Sequence, residues 1–202
     1  MKSTGYHSAQ YERKMEKYKI IFQFALMSLA SVIAGICLAH LLSESALEKT
    51  LQKIILHFKD SRGSSFSESA LKYAYICLPD IFSIALIFIF SFSFINYVIS
   101  DFVLVFVGIK FGINASLIKL MGFEEIGIIN SLSYWLIRFV LLIALTAYSC
   151  GMAFYSMEIK RFTQAGRIIL NKKTTLLSIL LTLTFIGLIF MLNGIYFLII
   201  DS

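Results

Sequence analysis

Residues 175–199 read TLLSILLTLTFIGLIFMLNGIYFLI, without a single Asp, Glu, Lys or Arg. The hydrocarbon of a bilayer is about 30 Å thick and a helix rises about 1.5 Å per residue, so roughly 20 mostly apolar residues cross it. This stretch qualifies, and four others upstream do as well: 20–42, 76–98, 102–121 and 132–154. Together they take up more than half of the 202 residues, which leaves no room for a separate soluble domain. The sequence therefore predicts an all-α, polytopic membrane protein with five transmembrane helices, forming one integral-membrane domain over residues 1–202.

Composition agrees. Apolar residues make up 58% of the chain and charged residues 15%, against about 25% charged in a soluble domain. Nineteen Phe and ten Tyr against one Pro exclude a disordered or collagen-like chain. Cys37, Cys77 and Cys150 stand singly inside apolar stretches, with no CxxC pair and no Cys/His cluster. Neither a disulfide framework nor a zinc site is expected, and no motif calls for a cofactor. The net charge of +6 comes from basic residues beside the spans. It reads as an orientation signal and as contact with anionic headgroups of the lipid bilayer, not as a nucleic-acid surface.

Five basic residues precede the first span (Lys2, Arg13, Lys14, Lys17, Lys19), and five more fall in the loop 155–174 (Lys160, Arg161, Arg167, Lys172, Lys173). With five spans these segments share one side, and the positive-inside rule makes it cytoplasmic. The N-terminus is then inside and the C-terminus outside. Tyr18, Tyr97 and Tyr155 mark inner span ends, while Tyr73, Tyr75, Tyr134, Trp135 and Tyr196 mark outer ones. The first apolar run is too long for a typical signal peptide, and Ile36 rather than a small residue precedes Cys37. It reads as an uncleaved anchor. Pro79 falls in the first turn of the second span, where a missing N–H costs little. Spans two and three follow so closely that a tight hairpin is expected around Ile99, Ser100 and Asp101.

The outside segment 43–75 holds an amphipathic helix between the first two spans. Ser45-Ala46-Leu47-Glu48 has the form of a capping box. Leu47, Leu51, Ile54, Ile55 and Phe58 then recur at helical spacing on one face. That face either rests on outer headgroups and the protein's own bundle, or docks an extracytoplasmic partner. His7, His40 and His57 have no clustered partners, so a solvated or core role is expected for each.

Polar groups within spans are candidate functional residues because hydrocarbon makes them costly. Asp80 and Asp101 lie near span ends. Arg138 stands one turn inside Trp135, and its guanidinium is expected to reach the interface by snorkelling. Lys110 sits near the middle of span three with Asn114 one turn further on the same face. It is either a lysine held by helix carbonyls and Asn or Ser side chains, or the lining of a polar path. Gly108 and Gly112, followed by Ala115 and Ser116, form a small-residue face suited to close helix contact, directed away from Lys110. There is no HExxH pair, GxSxG elbow, P-loop or paired intramembrane aspartate, so a non-enzymatic protein is expected.

This layout resembles the stage II sporulation protein M family, small bacterial five-span membrane proteins. The resemblance rests on the basic N-terminus, the Leu41-Leu42-Ser43-Glu44-Ser45 start of the outside segment, the phenylalanine-rich second span and the Gly108/Gly112 span. The basic loop and the last span complete it. Val107 before Gly108 and Ile129-Asn130-Ser131-Leu132-Ser133 at the start of span four mark a divergent member. The resemblance implies a bacterial plasma membrane and a scaffold that recruits cell-wall hydrolases during engulfment of the forespore. Its partners would be other membrane or extracytoplasmic cell-wall proteins. Two other readings stand beside it: a permease or transporter-complex subunit with a polar path near Lys110, and a general membrane assembly factor. The sequence assigns no oligomeric state.

Overall fold

A backbone in hydrocarbon must satisfy its own hydrogen bonds, and a continuous helix does this within one segment. The apolar runs do so here. The structure, a computed structural model, describes residues 3–42, 49, 52, 66–93, 95–118, 128–164 and 172–201. Among them are five long helices: α1 (Ser3–Leu41), α2 (Phe66–Phe90), α3 (Asn96–Leu117), α4 (Ile128–Gln164) and α5 (Lys172–Asp201). Each contains a stretch long and apolar enough to cross a membrane. The fold is all-α and polytopic. The amphipathic face of Leu47, Leu51, Ile54, Ile55 and Phe58 lies outside the described residues.

Several boundaries differ from the sequence reading. The chain reverses between α2 and α3 at residues 91–95, not at 99–101. Serines explain the earlier stop. The Ser91 hydroxyl donates to the Phe88 carbonyl at 2.6 Å, and the Ser91 and Ser93 amides bond three residues back to Phe88 and Phe90. Such side-chain and three-residue bonds offer the backbone an alternative to the helix ladder. Asp101, read as a turn residue, lies inside α3 and accepts a hydrogen bond from Gln23 of α1 at 3.1 Å. Pro79 stands in the interior of α2, well past its start at Phe66. The basic stretch 155–174 is mostly helix, since α4 runs to Gln164 and α5 begins at Lys172.

The helices alternate in direction. At the basic end, Phe24 packs on Tyr97 at 6.1 Å between ring centroids, and the Ser156 hydroxyl of α4 donates to the Ser93 carbonyl at 2.9 Å. There too, Tyr155 meets Thr175 at 3.2 Å, and the Lys17 ammonium lies 5.7 Å from the Phe154 ring centroid. At the opposite end the Tyr73 hydroxyl donates to the Phe190 carbonyl. Ser156 is thus the clasp that α4 places on the α2–α3 turn. Ser156→Ala should lower unfolding stability by about 1 kcal/mol, the usual worth of one hydrogen bond. Denaturant titration in mixed micelles measures it.

The interior reverses the pattern of a soluble helix. From Lys14 to Leu41 of α1 the buried positions are Ile20, Phe24, Ser28, Ser31, Gly35 and Ala39, a helical stripe that becomes smaller toward the opposite end. Leu26, Leu29 and Ile33 of the same helix are exposed and would face lipid. Lipid is as apolar as leucine, so association rests on close packing and interhelical polar contacts. α1 lies along α3 through glycine on both sides. A Cβ on Gly35 would fall on the Ile109 carbonyl, one on Gly112 on the Val32 carbonyl, and one on Gly108 on the Ser31 hydroxyl. Ser31 donates to the Ser28 carbonyl at 2.7 Å, and Thr146 of α4 reaches the Ser28 hydroxyl at 3.2 Å. α4 and α5 are joined by Tyr148, fully buried, whose hydroxyl lies 3.0 Å from Thr182. Thr182 gives its own proton to the Ser178 carbonyl, so Tyr148 is the donor.

Candidate functional site

Toward the end away from the basic cluster, four helices bring polar side chains to one level. Asp80 of α2 pairs with Arg138 of α4 at 2.7 Å. The Asn193 amide of α5 donates to the Ile189 carbonyl at 3.0 Å and approaches the same Asp80 oxygen at 3.4 Å. The Arg138 guanidinium also lies 5.6 Å from the Tyr134 ring centroid, a cation–π distance. Tyr134 in turn accepts a hydrogen bond from the Asn114 amide of α3 at 3.0 Å.

This arrangement corrects the sequence reading at two places. Arg138 does not end in snorkelling alone, because its guanidinium is held by a carboxylate from another helix. Asp80 is that carboxylate, and its position near a span end does not account for it. Local sequence helps to place it. Pro79 has no N–H to give to the carbonyl four residues back, and the Ser83 hydroxyl bonds to the Pro79 carbonyl at 2.9 Å. The α2 ladder therefore lacks one backbone hydrogen bond just before Asp80, within a continuous helix.

Asp80, Arg138, Tyr134, Asn114 and Lys110 line one end of a cavity of about 330 Å³ between α2, α3 and α4. Apart from Ser83, the rest of its wall is apolar, formed by residues such as Ile84, Leu86, Val103, Phe106 and Leu145. Lys110 is exposed on this wall, and among the described residues it has no hydrogen bond or ion pair. Asn114, its neighbour one turn on, is bonded to Tyr134 instead. Gly108 and Gly112 lie on the α1 side of the same helix, with Ser116 buried and Ala115 half-buried beyond them. Packing and charge thus occupy different faces of α3.

A second polar group sits at the basic end. Gln23 and Asp101 bond across α1 and α3, and Ser100 donates to Asn96 at 3.3 Å within α3. Between the two groups lie the almost fully buried Ile84, Ile87 and Leu104, together with the Ser28–Thr146 and Tyr148–Thr182 contacts. Among the described residues no three His, Cys, Asp or Glu side chains gather as a metal site. Cys77 and Cys150 are free thiols in the core, and Cys37 is exposed. Chemically, the cavity can hold an anion at its polar end and hydrocarbon along its length.

The partners of these groups were absent from the sequence reading. Gly35, Ser28 and Ser31 form the α1 side of the glycine contact, and their small-residue spacing in the sequence was the available signal. Asp80 and Arg138 are opposite charges near the starts of two spans, α2 and α4, that run in the same direction, which puts them at a common depth. Compared with protein-family models, curated proteins and solved structures, the chain matches none.

Proposed function

We propose that this chain is a non-enzymatic scaffold of a bacterial plasma membrane, similar in role to stage II sporulation protein M, recruiting cell-wall hydrolases or their partners. The observation that carries the reading is how the intramembrane polar groups are used. Asp80 with Arg138, Gln23 with Asp101, and Asn114 with Tyr134 each join two helices. Between the two ends, Ser28 with Thr146 and Tyr148 with Thr182 join helices in the same way. Polar groups spent on joining helices suit a rigid platform better than a conduit. The resemblance in layout and in the Leu-Ser-Glu-Ser and Gly-x-x-x-Gly segments supplies the biological setting. In this reading the outside face of Leu47, Leu51, Ile54, Ile55 and Phe58 is where an extracytoplasmic partner docks.

The test is crosslinking in native membranes followed by identification of partners. Recovery of cell-wall hydrolases or their tethers is the expected result, and their consistent absence overturns it. Orientation is tested separately. Reporters fused after Ser202 and within residues 165–171 should report outside and inside respectively, because the basic clusters set the cytoplasmic side.

A second reading, a permease or transporter-complex subunit, has one observation in its favour: Lys110 and Asn114 line a cavity within the membrane. It requires that Lys110→Met abolish a solute or proton flux in vesicles. The scaffold reading requires that the same variant fold and recruit partners as before.

A further inference from the structure

The cavity between α2, α3 and α4 has the dimensions and the charge of an amphiphile site. Along α3 its wall extends from Phe102 to Asn114, about 18 Å at about 1.5 Å per residue. The hydrocarbon of one leaflet is about 15 Å thick, half of the bilayer core. Its volume of about 330 Å³ falls at the lower end of the range for small-molecule sites, roughly 300–1,000 Å³. Phe82, Phe102 and Phe106 line it and are 63%, 69% and 64% exposed. The slot is therefore open sideways, between α2 and α3, toward the lipid tails.

Polarity is distributed along this slot as it is along a lipid. Asp80, Lys110, Asn114, Tyr134 and Arg138 lie at the end away from the basic cluster, and apolar side chains line the remainder except for Ser83, whose hydroxyl is bonded within α2. Among the described residues that line the slot, two cations face one carboxylate. Asp80 is engaged by Arg138, which leaves the exposed Lys110 ammonium as the excess positive charge. A cation in a lipid-facing position is costly unless it reaches the interface or an anion. An anionic headgroup supplies that anion, while Asn114 and Tyr134 add polar groups beside it.

We propose that this cavity binds a membrane phospholipid of net negative charge, its phosphate paired with Lys110 and one acyl chain lying in the slot down to the level of Phe102. A zwitterionic phospholipid brings its own ammonium into the neighbourhood of Lys110 and Arg138, so it binds less well. Free phosphate has no tail for the apolar wall. This goes beyond the scaffold role and does not depend on it.

The full chain, purified in mild detergent, is titrated with phosphatidylglycerol, phosphatidylcholine and inorganic phosphate. Bound lipid is read by native mass spectrometry, and stability by thermal unfolding. Phosphatidylglycerol should bind and raise Tm, phosphatidylcholine should bind at least several-fold more weakly, and phosphate should do neither. Lys110→Met should weaken phosphatidylglycerol binding roughly tenfold or more, the worth of one charge-assisted contact. Lys110→Arg should retain it. Ala144→Phe, which fills the slot from α4 without touching a charge, should also lose the lipid. Equal binding of both lipids, or wild-type binding by Lys110→Met, overturns the proposal. Stabilisation by phosphate alone equal to that by the lipid overturns it in favour of a soluble-anion site. If Lys110→Met fails to fold, Ala144→Phe and the headgroup comparison still decide.

Discussion

Gly35→Leu should pull α1 away from α3 and cost the protein about 3 kcal/mol or more, at or above the upper end of the range for overpacking a well-packed interior. The reason is that the side chain would meet backbone. A Cβ at Gly35 falls against the carbonyl oxygen, carbonyl carbon and Cα of Ile109, and Gly112 faces Gly35 from the other helix with its Cα close by. A flexible side chain could turn aside; a helix backbone cannot move without moving the helix. With α1 displaced, Ser31 loses its approach to the Leu104 carbonyl and Thr146 its contact with Ser28. Gly187 provides the control, because a Cβ there meets nothing within 4 Å. Gly187→Leu should be neutral or slightly stabilising, since glycine inside a helix costs up to about 1 kcal/mol relative to alanine. Denaturant titration in mixed micelles compares the two. Equal stability of Gly35→Leu and Gly187→Leu would mean that the α1–α3 contact is not tight.

The contrast between these two glycines also shows which parts of the fold are legible in sequence. Hydrocarbon thickness and helix rise leave little freedom to a run such as 175–199, so the number and class of spans follow from hydropathy alone. Gly108 and Gly112 stand out because they are small residues in a span otherwise made of large ones. Their partner on α1 is less visible. Ser28, Ser31 and Gly35 make half of the contact, yet serine in a span reads equally well as a residue bonded to its own helix. The α2–α3 turn is hidden in the sequence for a related reason. Apolar residues continue through Phe92, Phe94 and Ile95, and only the hydrogen bonds of Ser91 and Ser93 reveal that the helix has ended. Hydropathy measures what a segment can be dissolved in, and says nothing about where its backbone turns.

The site was legible as a set of residues but not as a set of pairs. Lys110, Asn114 and Arg138 attract notice one by one because each is costly in hydrocarbon. What they do depends on the rotation of each helix about its axis, which no local pattern encodes. Asp80 shows the limit most clearly: near a span end a carboxylate can reach water, so only the position of Arg138 across the bundle reveals its role.

That pairing leads to an asymmetric prediction. Removing one partner of a buried ion pair leaves a charge without compensation and costs roughly 3–5 kcal/mol. Here 22% and 20% of the two side chains stay exposed, so the low end of that range, about 3 kcal/mol, is expected for the worse single change. The two changes are not equivalent, because Lys110 lines the same cavity end. Arg138→Met leaves Asp80 facing the Lys110 ammonium, which can partly take over the carboxylate. Asp80→Asn removes the one carboxylate that lines this cavity beside Arg138 and Lys110 among the described residues, and Asn193 has no negative charge to offer. Asp80→Asn should therefore be the more destabilising. Adding Lys110→Met to Asp80→Asn should recover part of the loss, because it removes one of two like charges. Adding Lys110→Met to Arg138→Met should deepen the loss, because it strips Asp80 of its remaining cation. Opposite signs for the same second substitution are a demanding outcome, and unfolding titrations of these four variants, of Lys110→Met alone and of the parent protein measure it directly. Equal effects of Lys110→Met in both backgrounds would show that Lys110 does not share the electrostatic environment of the pair, and would remove the charge argument for an anion at this end of the cavity.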